Sequence, residues 1–312
     1  MRNAFADEVL NLAEEDDNLV VLSADTGNRL FDEFKNRFPT RFINCGIAEA
    51  NMTGVASGLC MSGMRPITYT IAAFNTFRCL EQIRVDICYH NLPVIIVGVG
   101  AGLSYANLGY THHANEDIGI LRTFPNMSIL CPADPMEVRG ALRGAHDHDG
   151  PVYIRLGKKD EPKIHERVPP IKIGGSSEIL SGKDICILAV GPIINEAIDA
   201  AELFKQKDIS TKVISFYSAK PIDQETLARN FSTVPFVVAL EEHSAIGGIG
   251  SAISEWMVLN SINPKKFIHL SLPDAIPHQA GSQSYLRKKY GLTASSIFNR
   301  VTEQLHQRDQ IE

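Results

Sequence analysis

Short, continuous apolar runs alternate with helix-spaced segments along almost the whole chain, and this alternation leaves few folds open. The runs at 19–22, 41–44, 67–71, 94–99, 127–131 and 152–154 have the length of strands. Between them lie helical patterns at 29–37, 49–61, 76–89 and 136–145, preceded by an opening segment with Phe5, Val9, Leu12 and Ala13 on one face. A strand that is apolar throughout is buried on both faces, so helices must cover both sides of a mostly parallel sheet. The pattern resumes with strands at 185–190, 212–215, 236–240 and 267–270 and helices near 195–205, 224–230, 249–257 and 295–307. The charged stretch between the halves carries Pro162, Pro169, Pro170 and the turn Gly174-Gly175-Ser176-Ser177, which reads as a linker. The expected architecture is α/β, two doubly wound domains with mostly parallel sheets at 1–160 and 183–312, joined by 161–182.

A chain of 312 residues suits two such domains. A net charge of -6 gives no reason to expect nucleic acid, so an anionic ligand would need a local basic pocket. The N-terminus turns acidic at Asp7-Glu8 and lacks the apolar core of a signal peptide. The longest apolar run, 92–103, is shorter than the roughly 20 residues that cross a bilayer, and glycines interrupt it. No membrane is expected. Cysteines at 45, 60, 79, 88, 131 and 186 form no C-x-x-C pair, as reduced structural thiols of a cytoplasmic protein would.

Three places could carry chemistry. Gly46-Ile47-Ala48-Glu49 sets one carboxylate at the start of a helix of small and apolar residues, Thr53-Gly54-Val55-Ala56-Ser57-Gly58-Leu59. Small side chains permit close helix packing with little water, and a desolvated carboxyl holds its proton more tightly, as general acid/base chemistry requires. Glu49 could equally complement the helix dipole. Phe74 and Phe77 follow the strand at 67–71, at the carboxyl end where open α/β sheets bind ligands. They could stack on a flat heterocycle or simply fill the core. Gly98-Val99-Gly100-Ala101-Gly102-Leu103 ends another strand and leads to Gly109-Tyr110-Thr111-His112-His113, followed by Glu116-Asp117. It matches neither a Walker loop nor a dinucleotide fingerprint, and its histidines lack the spacing of a helical metal pair. No metal ligand is expected from this chain.

In order and spacing, Gly-Ile-Ala-Glu49, the Phe74 region, Gly109-x-Thr111-His112, and Pro125-Asn126-Met127 followed by Pro132-Ala133-Asp134 resemble the transketolase family. The resemblance spans the whole chain but only the later part of a full-length transketolase. It implies a pyrimidine-binding domain with the thiamine-diphosphate-binding fold, then a transketolase C-terminal domain. The family's first domain, with Gly-Asp-Gly and a downstream Asn for Mg2+ and the cofactor diphosphate, has no counterpart, since Asp149-Gly150 stands between His148 and Pro151. The implied protein is therefore the second subunit of a split, thiamine-diphosphate-dependent transketolase. A partner chain, the N-terminal transketolase subunit, would bring the diphosphate-binding domain and Mg2+ to an α2β2 assembly that shares the cofactor.

By the same resemblance, Glu49 matches the residue that hydrogen-bonds N1′ of the aminopyrimidine and so promotes activation of the thiazolium C2. Phe74 matches the stacking aromatic, with Phe77 as its neighbour, and Asp25 an acidic residue near the cofactor and the subunit contact. His112 matches a histidine that contacts sugar hydroxyls and assists proton transfer. Arg2 and Lys158 match positions that bind the substrate's terminal phosphate, Lys158 in place of an arginine. The implied reaction moves a two-carbon ketol unit from a ketose to an aldose.

Two positions depart from the pattern. Leu108 replaces an aspartate that would contact the acceptor's C2 hydroxyl, and Gly100 aligns with a histidine near the substrate phosphate. A site stripped of such groups no longer demands the matching hydroxyl or phosphate, so a deoxy, amino or otherwise modified sugar is expected. The E1 beta subunit of a 2-oxoacid dehydrogenase has a similar length and domain order, but Thr111-His112 and Pro132-Ala133-Asp134 favour a transketolase. Deoxyxylulose phosphate synthase is normally one chain. A non-catalytic module would have no use for Glu49, a carboxylate that only destabilises when buried without a partner.

Overall fold

The computed structural model describes residues 1–27, 29–159, 161–263 and 267–306. The first half runs α1 (Arg2–Glu15), β1 (Leu19–Ser23), α2 (Asp32–Arg37), β2 (Phe42–Asn44), α3 (Glu49–Met61), β3 (Arg65–Ile71) and α4 (Ala72–Thr76). A 3-10 turn (Phe77–Cys79) leads through the single turn α5 (Leu80–Gln82) into a π-helical segment (Ile83–Tyr89). Then come β4 (Ile95–Val99), α6 (Asp117–Arg122), β5 (Ser128–Leu130), α7 (Pro135–His146) and β6 (Val152–Leu156). The second half runs β7 (Ser177–Leu180), β8 (Ile185–Val190), α8 (Ile194–Lys205), β9 (Thr211–Ser215), β10 (Ser218–Lys220), α9 (Gln224–Thr233), β11 (Phe236–Ser244), α10 (Ile249–Leu259), β12 (Phe267–Leu272), α11 (Gln283–Lys289) and α12 (Ala294–His306).

Two sheets result, in the orders β10-β5-β6-β4-β3-β1-β2 and β12-β11-β8-β9-β7. Every pairing is parallel except those of the edge strands β10 and β7. The inner strands β1, β4, β6 and β8 are buried along their whole length, as their unbroken apolar character requires. Among the described residues no helix is long and apolar enough to cross a membrane. All six cysteines are free.

Four local readings change. Ser177–Leu180, in the stretch read as a linker, forms an antiparallel edge strand against β9. β10 leaves the second half to pair with β5, so the first sheet is finished by residues far away in sequence. Three residues pairing at an edge carry no periodic signal. Helix α11 was not expected, and Gln307, placed in the last helix, lies outside the described residues. The helix expected over 76–89 is broken into the 3-10 turn, α5 and the π segment. Its start is pinned by the buried amide of Asn75, which donates to Thr68 Oγ1 at 3.2 Å and to the Val97 carbonyl at 2.9 Å.

A polar clasp ties the connecting segment to both halves. Asp134 caps α7 by accepting from the Glu137 N–H at 2.7 Å, and its other oxygen accepts from the N–H groups of Ile164 and His165, each at 2.8 Å. Glu137 accepts from the Ala133 N–H at 2.8 Å and from the Ser215 hydroxyl of β9 at 2.9 Å. His165 sits between both carboxylates, 3.3 Å from Asp134 and 3.6 Å from Glu137. The hydrogen bond to Asp134 raises the His165 pKa against burial, and burial holds Glu137 well above the usual carboxylate range. A histidine whose folded pKa is raised adds stability that is full below its unfolded value near 6.5 and lost as pH rises through the folded one. The stability lost in a His165→Gln variant is therefore expected to be largest near pH 6 and to shrink above pH 6.5. Urea unfolding at a series of pH values measures it, and a pH-independent difference would refute the assignment.

Candidate active site

Because the inner strands of the first sheet run parallel, the loops after β1, β2, β3, β4 and β6 emerge at one edge, the carboxyl edge where such sheets bind ligands. The turn that carries Glu49 starts from Asn44 at the end of β2, whose side-chain oxygen accepts from the Gly46 and Asp25 N–H groups at 3.0 and 3.2 Å. Gly46 has φ +67°, in the left-handed region that glycine tolerates, and the chain turns there into α3. Glu49 is the first residue of that helix and is 4% exposed. Gly54 and Gly58 behave otherwise than expected. No atom lies within 4 Å of where either would carry a Cβ, so they open the outer face of α3 and do not pack within the chain.

A file of side chains runs along the edge from Glu49. One guanidinium nitrogen of Arg78 donates to both carboxylate oxygens of Glu49, at 3.2 and 3.1 Å. The same guanidinium lies over the Phe74 ring, its carbon 4.1 Å from the ring centre. Phe74 meets His112 edge-on at 5.1 Å, and His112 meets Tyr105 at 6.2 Å. The Lys158 ammonium stands over the far side of the file, 4.7 Å from the Tyr105 ring centre. Arg2 shares a cleft of about 260 Å³ with Lys158, Lys159 and Pro135. The Arg2 Nε and the Tyr69 hydroxyl are both buried and without a hydrogen-bond partner. A buried donor in that condition is costly unless something completes it.

His112 accepts from or donates to the Thr111 hydroxyl through Nδ1 at 2.9 Å. Partial burial and the nearby Arg78 charge lower its pKa, so its imidazole is neutral at neutral pH. Its neighbour His113 points away, fully buried and edge-on to Tyr110. Gly100 is the counterpart of Tyr105. It has φ +97°, and a Cβ there would collide with the Tyr105 ring. The space left by the missing side chain is filled from five residues along the chain.

The structure thus brings Glu49, Phe74 and His112 into one file and joins Lys158 and Arg2 to its end. Phe77 is half-buried on the 3-10 turn, and Asp25, at φ +51°, bonds the Asn44 amide at 3.1 Å. Among the described residues, no hydrogen bond or ring contact links either to Glu49, Phe74 or His112. Leu108 is exposed on a 3-10 turn beside the file. Sequence reasoning missed Arg78 and Tyr105. Arg78 lay inside a segment read as a plain helix, and Tyr105 could have been suspected only from the gap at Gly100.

The loop carrying His112 is held by Arg155 of β6. Its Nε donates to Asp117 at 2.8 Å, and its terminal nitrogen donates to the carbonyls of Ala114 at 2.6 Å and Glu242 at 3.0 Å. The Tyr153 hydroxyl donates to the same Asp117 oxygen at 2.8 Å. Arg155 and Asp117 are at most 1% exposed. Replacing Arg155 by Met strands a buried carboxylate and is expected to cost about 3–5 kcal/mol, read from the urea midpoint. A loss below about 1 kcal/mol, that of an exposed pair, would contradict this role.

Two family models match the chain: "Transketolase, pyrimidine binding domain" over residues 1–163 and "Transketolase, C-terminal domain" over residues 175–297. One of the two subunits of an apulose-4-phosphate transketolase of Phocaeicola vulgatus is 33% identical over 97% of this chain and 96% of its own length. A 6-deoxy-6-sulfo-D-fructose transketolase subunit of Clostridium sp. (strain MSTE9) is 34% identical over 97% of this chain and 94% of its own. A solved structure described as "Split gene transketolase, inactive beta4 tetramer" superposes with a TM-score of 0.87 at 36% identity, covering 97% of this chain and 96% of that one.

Proposed function

This chain belongs to the transketolase family, and we propose that it is the second subunit of a split transketolase that moves a two-carbon ketol unit from a ketose to an aldose. Its first domain is taken as 1–160 and its C-terminal domain as 183–312. The observation that carries this reading is the file at the sheet's carboxyl edge, where a buried carboxylate faces a flat N–H donor lying on an aromatic ring. The Arg78 guanidinium in that space supports the fit of a flat, N–H-bearing heterocycle between Glu49 and Phe74. Thiamine diphosphate, when bound, supplies the electron sink for breaking the ketose carbon–carbon bond. Glu49 holds the pyrimidine N1′, Phe74 stacks on its ring with Phe77 near the same pocket, and Asp25 lies at the subunit contact. His112, kept neutral, exchanges a proton with a substrate hydroxyl. Arg2 and Lys158 take the substrate's anionic terminus.

The diphosphate and Mg2+ are assigned to an N-terminal subunit in an α2β2 assembly, because this sequence carries no Gly-Asp-Gly motif. A partner is supported by the open glycine face of α3, flanked by the exposed Ile47 and Met61, and by the relative whose beta4 tetramer is described as inactive. A modified sugar is supported by Leu108 and Gly100 and by relatives named for apulose-4-phosphate and 6-deoxy-6-sulfo-D-fructose. The cytoplasm suits six free cysteines.

Reconstitution with a separately encoded chain that carries Gly-Asp-Gly tests the reading. The pair is expected to co-purify and to transfer ketol units. Glu49→Gln should fold and assemble yet lose about 10²–10⁴-fold in kcat, and an unchanged rate would remove Glu49 from the mechanism. Across a panel of aldose acceptors a modified sugar should outrank ribose 5-phosphate. Were plain ribose 5-phosphate the best acceptor, the inference from Leu108 and Gly100 would be wrong.

A further inference from the structure

Arg78 has no part in the reaction as described, yet it makes both contacts that the cofactor's pyrimidine requires. Its guanidinium carbon is 4.1 Å from the Phe74 ring centre, and it donates to both oxygens of Glu49. A guanidinium is planar, carries its N–H donors in that plane and stacks on aromatic faces. It therefore offers Glu49 and Phe74 the same flat shape and edge donor as a protonated heterocycle. One ring face and one carboxylate cannot serve two such groups at once. We propose that Arg78 is an internal stand-in for the pyrimidine: it closes the cofactor site of the free subunit, and cofactor binding displaces it.

The two partners differ in how freely they can give up the contact. The Glu49 side chain is 4% exposed and that of Arg78 is 50% exposed. The carboxylate needs a partner, since burying it alone is costly. The guanidinium already faces water on one side and can swing out with little further cost. Its backbone suits that motion, because Arg78 lies in the middle of the 3-10 turn where α4 gives way to α5 and the π segment. The stand-in also explains how a subunit made apart from its partner keeps a buried carboxylate satisfied before any cofactor arrives. Its consequence is competition: the apparent cofactor affinity is reduced by the fraction of molecules in which Arg78 has left the site.

This inference rests on the thiamine diphosphate reading above. It is tested by calorimetric titration of thiamine diphosphate, with Mg2+ present, into wild-type and variant subunits assembled with their partner. Arg78→Ala should bind the cofactor about 3–10-fold more tightly, while the cofactor-free subunit melts about 2–4 °C lower for want of a partner to Glu49. Arg78→Lys keeps the charge but not the flat fork and should fall between the two in both measurements. Equal or weaker cofactor binding by an assembled Arg78→Ala complex overturns the inference. Should Arg78→Ala fail to assemble, Arg78→Lys decides, and binding no tighter than wild type overturns it equally. A wild-type complex that takes up no thiamine diphosphate sinks the cofactor reading and the stand-in together, which separates that failure from failure of the stand-in alone.

Discussion

The arrangement of the site depends on one buried ion pair, Arg155 with Asp117. Arg155 leaves β6 one residue before the strand ends, and its guanidinium reaches the loop after β4 at Ala114, the start of α6 at Asp117 and β11 at the Glu242 carbonyl. Two charges taken out of water gain little net stability from each other. What such a pair does fix is position, because any other loop conformation would leave a buried charge unpaired. Here it sets the loop that presents His112 to Phe74 and Tyr105, and it fastens that loop to the second half of the chain.

The second half reinforces the same edge through close backbone contact. Gly119 in α6 and Gly247 approach so closely that a Cβ on Gly247 would come within 2.9 Å of the Gly119 backbone. Arg122 donates to the Gly247 carbonyl at 2.7 Å, and the Gly119 N–H donates to the ring of His243 at 3.1 Å. The glycine run before α10 could have been an anion site or a packing device, and it does both jobs internally. Glu241 accepts from the Ile249 and Gly250 N–H groups, each at 2.9 Å, so the helix start is filled by the chain's own carboxylate. Side chains at Gly248 and Gly250 would run into Glu241 and His269.

Much of this was legible in the residues. Unbroken apolar strands between helices require a parallel sheet, and a parallel sheet requires that the loops after Asn44, Ile71, Val99 and Leu156 meet at one edge. Strand order and loop position alone therefore gather Glu49, Phe74, His112 and Lys158 at that edge. They do not gather Arg78, since nothing local marks a guanidinium that turns back over a ring four residues earlier. Nor do they mark Tyr105, which takes the place opened by Gly100 only because the left-handed turn at Gly100 folds the loop over itself. β10 escaped for a similar reason: three residues at a sheet edge are chosen by the strand they meet.

By itself, then, the sequence determined the layers, the edge that carries chemistry and the residue types present there. Those follow from apolar periodicity and from turn residues, which act within a few positions along the chain. Tertiary structure alone decided the order of the file Glu49–Arg78–Phe74–His112–Tyr105–Lys158 and the clasp of Asp134, Glu137 and His165. It also decided that α3 turns its glycines outward. These depend on desolvation and on hydrogen bonds between residues far apart in the chain, whose strengths are set only once burial has removed the water that would otherwise compete for them.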